Sequence, residues 1–318
     1  MLLTFVIAWL VFNCHSTQSE DERAEDRIVG GTIAGKYQFP FFVQLQIPIK
    51  DQGKSWLSIC GASLIASQWI LTVAHCFPET ADEQLELIKN KTLITYMGSN
   101  KRFDEKAKTN LLVQVYLHPN FYFHKKPLII LNDIAVAKLT RPYELSRTIQ
   151  TIAIATQRSQ KRCRQGTIVG VGKISSTAVY GIYVRYAKII SKERYEIGDN
   201  LKPSDTVFVS KIMKMGKRIH AYSGDSGSPF ICYSDNIPVL YGIFSYFRST
   251  PKSVITIFES IDRFTDFILT FVPEVSIYKE QKILKINKTS YFRSPVNKRT
   301  AEVVLIIPVL KYLLLREF

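Results

Sequence analysis

Val43, Leu45 and Ile47 alternate with Gln44 and Gln46, a two-residue period that sets apolar side chains on one face, as a strand with one buried side requires. Comparable short runs recur at Leu111 to Leu117, Ile182 to Tyr186, Thr206 to Val209, Val239 to Phe244 and Val254 to Phe258. They are rich in β-branched and aromatic residues and are broken by Pro, Gly, Asn or Asp. Many short strands with few helical periods restrict the chain to an all-β architecture of sandwich or barrel type. One helical period stands apart: Ile261, Phe264, Ile268 and Phe271 share a face, so a helix is expected to close the domain. With 318 residues and 46% hydrophobic content, the chain can bury a large core, which excludes disorder throughout.

The two ends differ from this pattern. Leu2 to Phe12 is a short apolar run followed by Cys14, His15 and Ser16; it is too short to span a bilayer comfortably and reads as a secretory signal over residues 1–16. Its removal leaves Cys60, Cys76, Cys163 and Cys232, an even set suited to two disulfides in an oxidising, extracellular setting. After Pro273 the sequence turns polar and basic, and Val303 to Leu315 is apolar but interrupted by Pro308 and Lys311. Residues 273–318 are therefore an appended tail that docks on the domain, lies at a membrane interface or is removed with a lipid-anchor signal. Asn90 and Asn287 each open an Asn-Lys-Thr sequon, glycosylated if the chain is secreted.

The net charge of +15 favours polyanions as partners or simply a soluble basic surface, and no nucleic-acid motif accompanies it. Basic clusters occur at Arg158, Lys161, Arg162 and Arg164, and at Lys211, Lys214, Lys217 and Arg218, either as exosites for an acidic partner or as solvated loops. Five histidines are scattered without ligand spacing, so neither a metal nor another cofactor is expected.

Three segments carry chemistry. Gly224-Asp225-Ser226-Gly227-Ser228-Pro229 sets a serine between glycines, which lets the backbone turn sharply and leaves the N–H groups of Gly224 and Ser226 free to face an oxyanion. Leu71-Thr72-Val73-Ala74-His75-Cys76 offers a histidine beside a cysteine, and Asn132-Asp133-Ile134-Ala135 puts an acid at the head of an apolar strand, where a buried carboxylate needs a partner. Nucleophile, base and orienting acid are what hydrolysis through an activated serine requires.

The chain order His75, Asp133, Ser226, together with Arg27-Ile28-Val29-Gly30-Gly31, Thr72-Val73-Ala74-His75-Cys76, Asp133-Ile134-Ala135 and Gly224-Asp225-Ser226-Gly227, resembles the chymotrypsin-like (trypsin-like, S1) serine proteases from about Ile28 to Phe271. The resemblance implies two six-stranded antiparallel barrels over residues 28–272, His75 and Asp133 coming from one and Ser226 from the other. It implies a propeptide over residues 17–27, with cleavage after Arg27 by a trypsin-like protease freeing the Ile28 amine to pair with Asp225. It also implies the disulfides Cys60–Cys76 and Cys163–Cys232. By the same resemblance the substrate pocket is formed by His220 at its base and by Ser245, Tyr246, Phe247 and Ser253 along its walls. Relatives that cut after Arg or Lys carry Asp where this chain has His220, so a different preference is expected: small side chains, or acidic ones met by a protonated His220. Ser228 and Val73 replace commoner residues, and two further family disulfides have no cysteines here. The function implied is secreted endopeptidase, the alternative being a non-catalytic homologue that binds and regulates.

Overall fold

The computed structural model describes residue 28 and residues 31–51, 54–126, 128–156, 163–173, 180–191, 206–213, 221–234, 236–249 and 253–278. The signal, Arg27, His220, Asn287, the tail beyond residue 278 and most of both basic clusters lie outside them.

The first half closes into a barrel. Strands β2 (Phe42–Asp51), β3 (Lys54–Ala66), β4 (Trp69–Thr72), β9 (Ala135–Leu139), β6 (Lys108–Leu117) and β5 (Ile94–Met97) follow one another around it, β5 pairing back with β2. Val43, Leu45 and Ile47 are fully buried as their alternation requires, but Gln44 is buried too. Its side chain is consumed by the backbone, donating to Lys101 O at 2.9 Å and accepting from Phe103 N at 2.8 Å, which satisfies an otherwise costly buried amide.

The second half is an eight-stranded sheet. Its order is β1 (Thr32–Ile33), β12 (Arg185–Ile190), β11 (Gln165–Gly170), β14 (Pro229–Ser234), β15 (Ile237–Ser249), β16 (Ser253–Ser260) and β13 (Val207–Met213), with β10 (Ala153–Ile154) parallel on β15. Six of these form the expected set, and β1 and β10 are additions. Among the described residues no ladder joins β12 to β13, and the chain linking them, 192–205, lies outside. Here β12 begins at Arg185 rather than Ile182, which is 58% exposed. Two-stranded β7 (Tyr122–Lys125) and β8 (Leu128–Leu131) form a hairpin leading into Asp133.

The closing helix starts as a 3-10 turn at Ile261–Phe264 and continues as α2 (Thr265–Phe271). Ile261, Phe264 and Ile268 are buried, and Phe271 stacks on Tyr116 of the barrel at 4.1 Å between ring centroids, so the apolar stripe ties the end of the chain to the first half. An earlier helix, α1 (Ala81–Lys89), was not expected. The signature Thr80-Ala81-Asp82-Glu83 marks its start: Thr80 Oγ1 accepts from Glu83 N at 3.4 Å and donates to Glu83 Oε2 at 2.7 Å, and acids occupy the first turn. No residue of α1 is buried, so no apolar stripe betrays it. Asn90, its C-cap, is exposed.

Candidate active site

His75 sits in the single 3-10 turn Ala74–Cys76 after β4, pinned to β3 by the Cys60–Cys76 disulfide. Asp133 follows Asn132, whose φ of +51° is left-handed, a conformation asparagine tolerates better than most residues. Asn132 Nδ2 donates to Asn120 O at 2.8 Å, fixing the turn that brings the acid to the head of β9. Ser226 lies just before β14. Three segments far apart in sequence thus meet where the two halves of the molecule face each other.

Asp133 is fully buried. Its Oδ1 accepts the His75 backbone N–H at 2.9 Å, its Oδ2 the His75 Nδ1 hydrogen at 2.7 Å, and the Ser245 hydroxyl also donates to Oδ2. Burial alone would raise the carboxyl, but the His75 imidazole and these donors hold it below its usual range. Burial likewise depresses His75, yet the Asp133 charge prevails and keeps it above 6.5. With Nδ1–H committed to Asp133, Nε2 is left as the acceptor for Ser226 Oγ, 2.9 Å away.

The loop around Ser226 is wound by its own backbone. Asp225 N donates to Tyr222 O, Ser228 N to Asp225 O, Gly227 N to Phe244 O and Gly61 N to Ser226 O, at 2.7–3.0 Å. Among the described residues the N–H groups of Gly224 and Ser226 meet no acceptor. Gly224 has φ +94°, and a Cβ there would stand 3.0 Å from Gly172 Cα and 3.1 Å from Tyr180 Cε1; Gly227 has φ +81°, and a Cβ would strike Gly61 O and Thr72 Oγ1. Only glycine suits both places.

Asp225 is also fully buried and accepts from Tyr222 N at 2.9 Å and Gly172 N at 2.7 Å. Burial pushes it up to about 6 in spite of those donors. Ile28 is 3% exposed and packs in the core of the second half with Ile168 and Phe230. The Cys163–Cys232 disulfide braces the same region.

The expected pocket residues divide. Ser245 spends its hydroxyl on Asp133, and Tyr246 is buried against Ile130, Ile255 and Ile257. Phe247 stacks on Tyr222, centroids 4.8 Å apart and planes at 25°. The register pairs Phe247 with Thr256 and Ser253 with Met213. A bulge between Phe244 and Tyr246 sets this register, which a count along the sequence cannot anticipate.

Glu259 was missed. It is fully buried on β16, and its Oε1 accepts the Asp133 backbone N–H at 3.1 Å. Burial, then the neighbouring Asp133 charge, push it up to about 8, so it is neutral while Asp133 is ionised. The signal was present in the sequence as a lone acid in the apolar run Val254 to Phe258 and Ile261.

A family model described as Trypsin matches residues 28–268. The chain is 26% identical over 251 residues to chymotrypsin-like elastase family member 1 of Macaca fascicularis, covering 77% of this chain and 88% of that protein. It is 28% identical over 243 residues to Serine protease 56 of Mus musculus, covering 73% and 36%, and 27% identical over 274 residues to ovochymase of Halocynthia roretzi, covering 80% and 16%. The alignments thus span only 36% and 16% of those two longer relatives. The match extends across both halves that contribute to the cleft, and the chain belongs to the trypsin family of chymotrypsin-like serine proteases.

Proposed function

We propose that this protein is a secreted serine endopeptidase, made as a precursor and switched on by cleavage after Arg27. The observation that carries the reading is the unbroken line from Asp133 through His75 to Ser226 Oγ, at 2.7 and 2.9 Å. Ser226 Oγ attacks the scissile carbonyl as His75 Nε2 takes its proton. The oxyanion accepts from Gly224 and Ser226 N–H, and His75 then gives its proton to the departing amine, leaving an acyl ester on Ser226. Water, deprotonated by the same imidazole, releases the acid and restores the serine. Asp133 remains ionised throughout, stabilising the imidazolium and fixing the Nδ1–H tautomer.

Activation rests on Asp225. Its carboxyl, raised to about 6 without a cation, is a poor buried anion; the Ile28 ammonium freed by cleavage would convert it into a paired one and hold the loop at Gly224 in place. For specificity, the Tyr222 ring on Phe247, and Thr256 opposite, support a pocket for small side chains.

The test is to cleave the purified precursor after Arg27 and treat it with a fluorophosphonate probe. Labelling that disappears in Ser226→Ala is expected. A folded, correctly cleaved chain that takes up no label would instead be a non-catalytic homologue.

A further inference from the structure

Asp133 enters β9 through a turn that leaves its own N–H outside the barrel ladder. Asn132 before it is left-handed. Ile134 after it donates its N–H to Asn132 O at 2.9 Å and accepts His118 N at 3.0 Å, and strand pairing starts at Ala135, opposite Thr72 and Leu117. A buried amide in that place needs an acceptor from elsewhere. Glu259 supplies it from the second half of the molecule. β16 runs between β15 and β13, Glu259 lies opposite Ile243 and Val207, and its Oε1 accepts Asp133 N–H at 3.1 Å. β15 adds a second hold, since the Ser245 hydroxyl donates to Asp133 Oδ2. The second half therefore grips the acid by backbone and by side chain, while the first half sets His75 against it.

A glutamate is a costly choice for this place. Glu259 is fully buried, and Oε2 has no hydrogen-bond partner among the described residues, a situation that a neutral acid tolerates far better than a carboxylate. The ion pairs among the described residues join His75 to Asp133 and Arg263 to Asp262, and none reaches Glu259. The ionisable groups that face it are Asp133 from the head of β9 and Tyr246 from β15. From the side of β13, Thr206 gives it a hydrogen bond, and Arg248, beyond Tyr246, spends Nη2 on Leu128 O at 2.6 Å. An apolar side chain of the same size would avoid the desolvation. It would also strand the Asp133 N–H, and a peptide turning to find another acceptor would carry the carboxylate on the same Cα away from His75.

We propose that Glu259 is a positioning residue for catalysis: by holding the Asp133 backbone it keeps the Asp133 carboxylate aligned on His75 Nδ1, and so sets the base that serves Ser226. This role rests on the protease reading above.

The test compares activated wild type, Glu259→Met, Glu259→Leu and Glu259→Gln on a peptide with Ala before the scissile bond, with cooperative urea unfolding as the check that each variant is folded. In the two apolar variants kcat should fall about ten- to a hundredfold, the scale of a small misplacement of a catalytic group, while KM stays within about twofold because no substrate contact is lost. The acid limb of kcat/KM should move down towards 6.5, since less of the Asp133 charge reaches the imidazole. Gln offers the same acceptor and should restore the wild-type midpoint and bring kcat back to within about threefold of wild type. A folded apolar variant with wild-type kcat and midpoint, or a Gln variant as impaired as Met, would overturn the role. One reading needs no variant: the Asp133 amide of the wild type should exchange with deuterium as slowly as those of Val136 and Ala137 in β9, and fast exchange would overturn the bond itself. Absence of fluorophosphonate labelling in the cleaved wild type would instead overturn the protease reading, and this role with it.

Discussion

Replacing Glu259 with Gln isolates the consequence of burying a second acid beside Asp133. Gln keeps an oxygen to accept the Asp133 N–H, bonded at 3.1 Å in the wild type, but never ionises. In the folded protein Glu259 is raised from 4.5 to about 8, first by burial and then by the Asp133 charge, with a hydrogen bond from Thr206 acting the other way. Between those two values the folded state holds a proton that the unfolded state has released. Stability therefore falls as pH rises through the window, by about 1.4 kcal/mol per unit for a single such group. From pH 5.5 to 8.0 the wild type should lose about 3 kcal/mol relative to Glu259→Gln, because the other titrating groups are common to both. Urea unfolding of both proteins in a Ser226→Ala background, which prevents self-digestion, measures this difference. A gap between the two that stays constant across that range would refute a buried, protonated Glu259.

Four further outcomes follow from the same geometry. Arg27→Gln should be secreted yet stay silent, and full peptidase activity in that variant would contradict activation through Ile28 and Asp225. Because catalysis needs neutral His75 and Asp133 holds that imidazole above 6.5, kcat/KM should fall in acid with a midpoint above 6.5; a midpoint at or below that value would mean the pair is not formed in the free enzyme. Ser245→Ala removes a donor from Asp133 and should lower kcat/KM about tenfold, with an unchanged rate showing that Ser245 contributes no catalytic orientation. Phe247→Gly removes the partner of Tyr222 and should move the preferred residue before the cleaved bond from Ala towards Phe or Tyr, as read from kcat/KM on matched peptides.

The family was legible because its chemistry depends on short local motifs. A serine between glycines, a histidine beside a cysteine and an acid opening an apolar strand each carry a local backbone requirement, such as the positive φ of Gly224, Gly227 and Asn132. Strands followed from the two-residue period, which gives way where tertiary partners intervene, as at buried Gln44. Helix α1 escaped because none of its residues is fully buried, Leu87 and Ile88 packing only partly against the core.

The sequence by itself determined an all-β chain with a serine, a histidine and an aspartate in the order of this family, since those depend on residue type and near neighbours. Tertiary structure decided the rest. The bulge in β15 set Thr256 opposite Phe247, the approach of β16 gave Asp133 a neutral acid as neighbour, and the meeting of the two halves put Arg102 and Lys173 on one tyrosine. The physical reason is that register, burial and electric field arise from residues brought together across long stretches of chain, and each is a property of the assembled pair rather than of either segment.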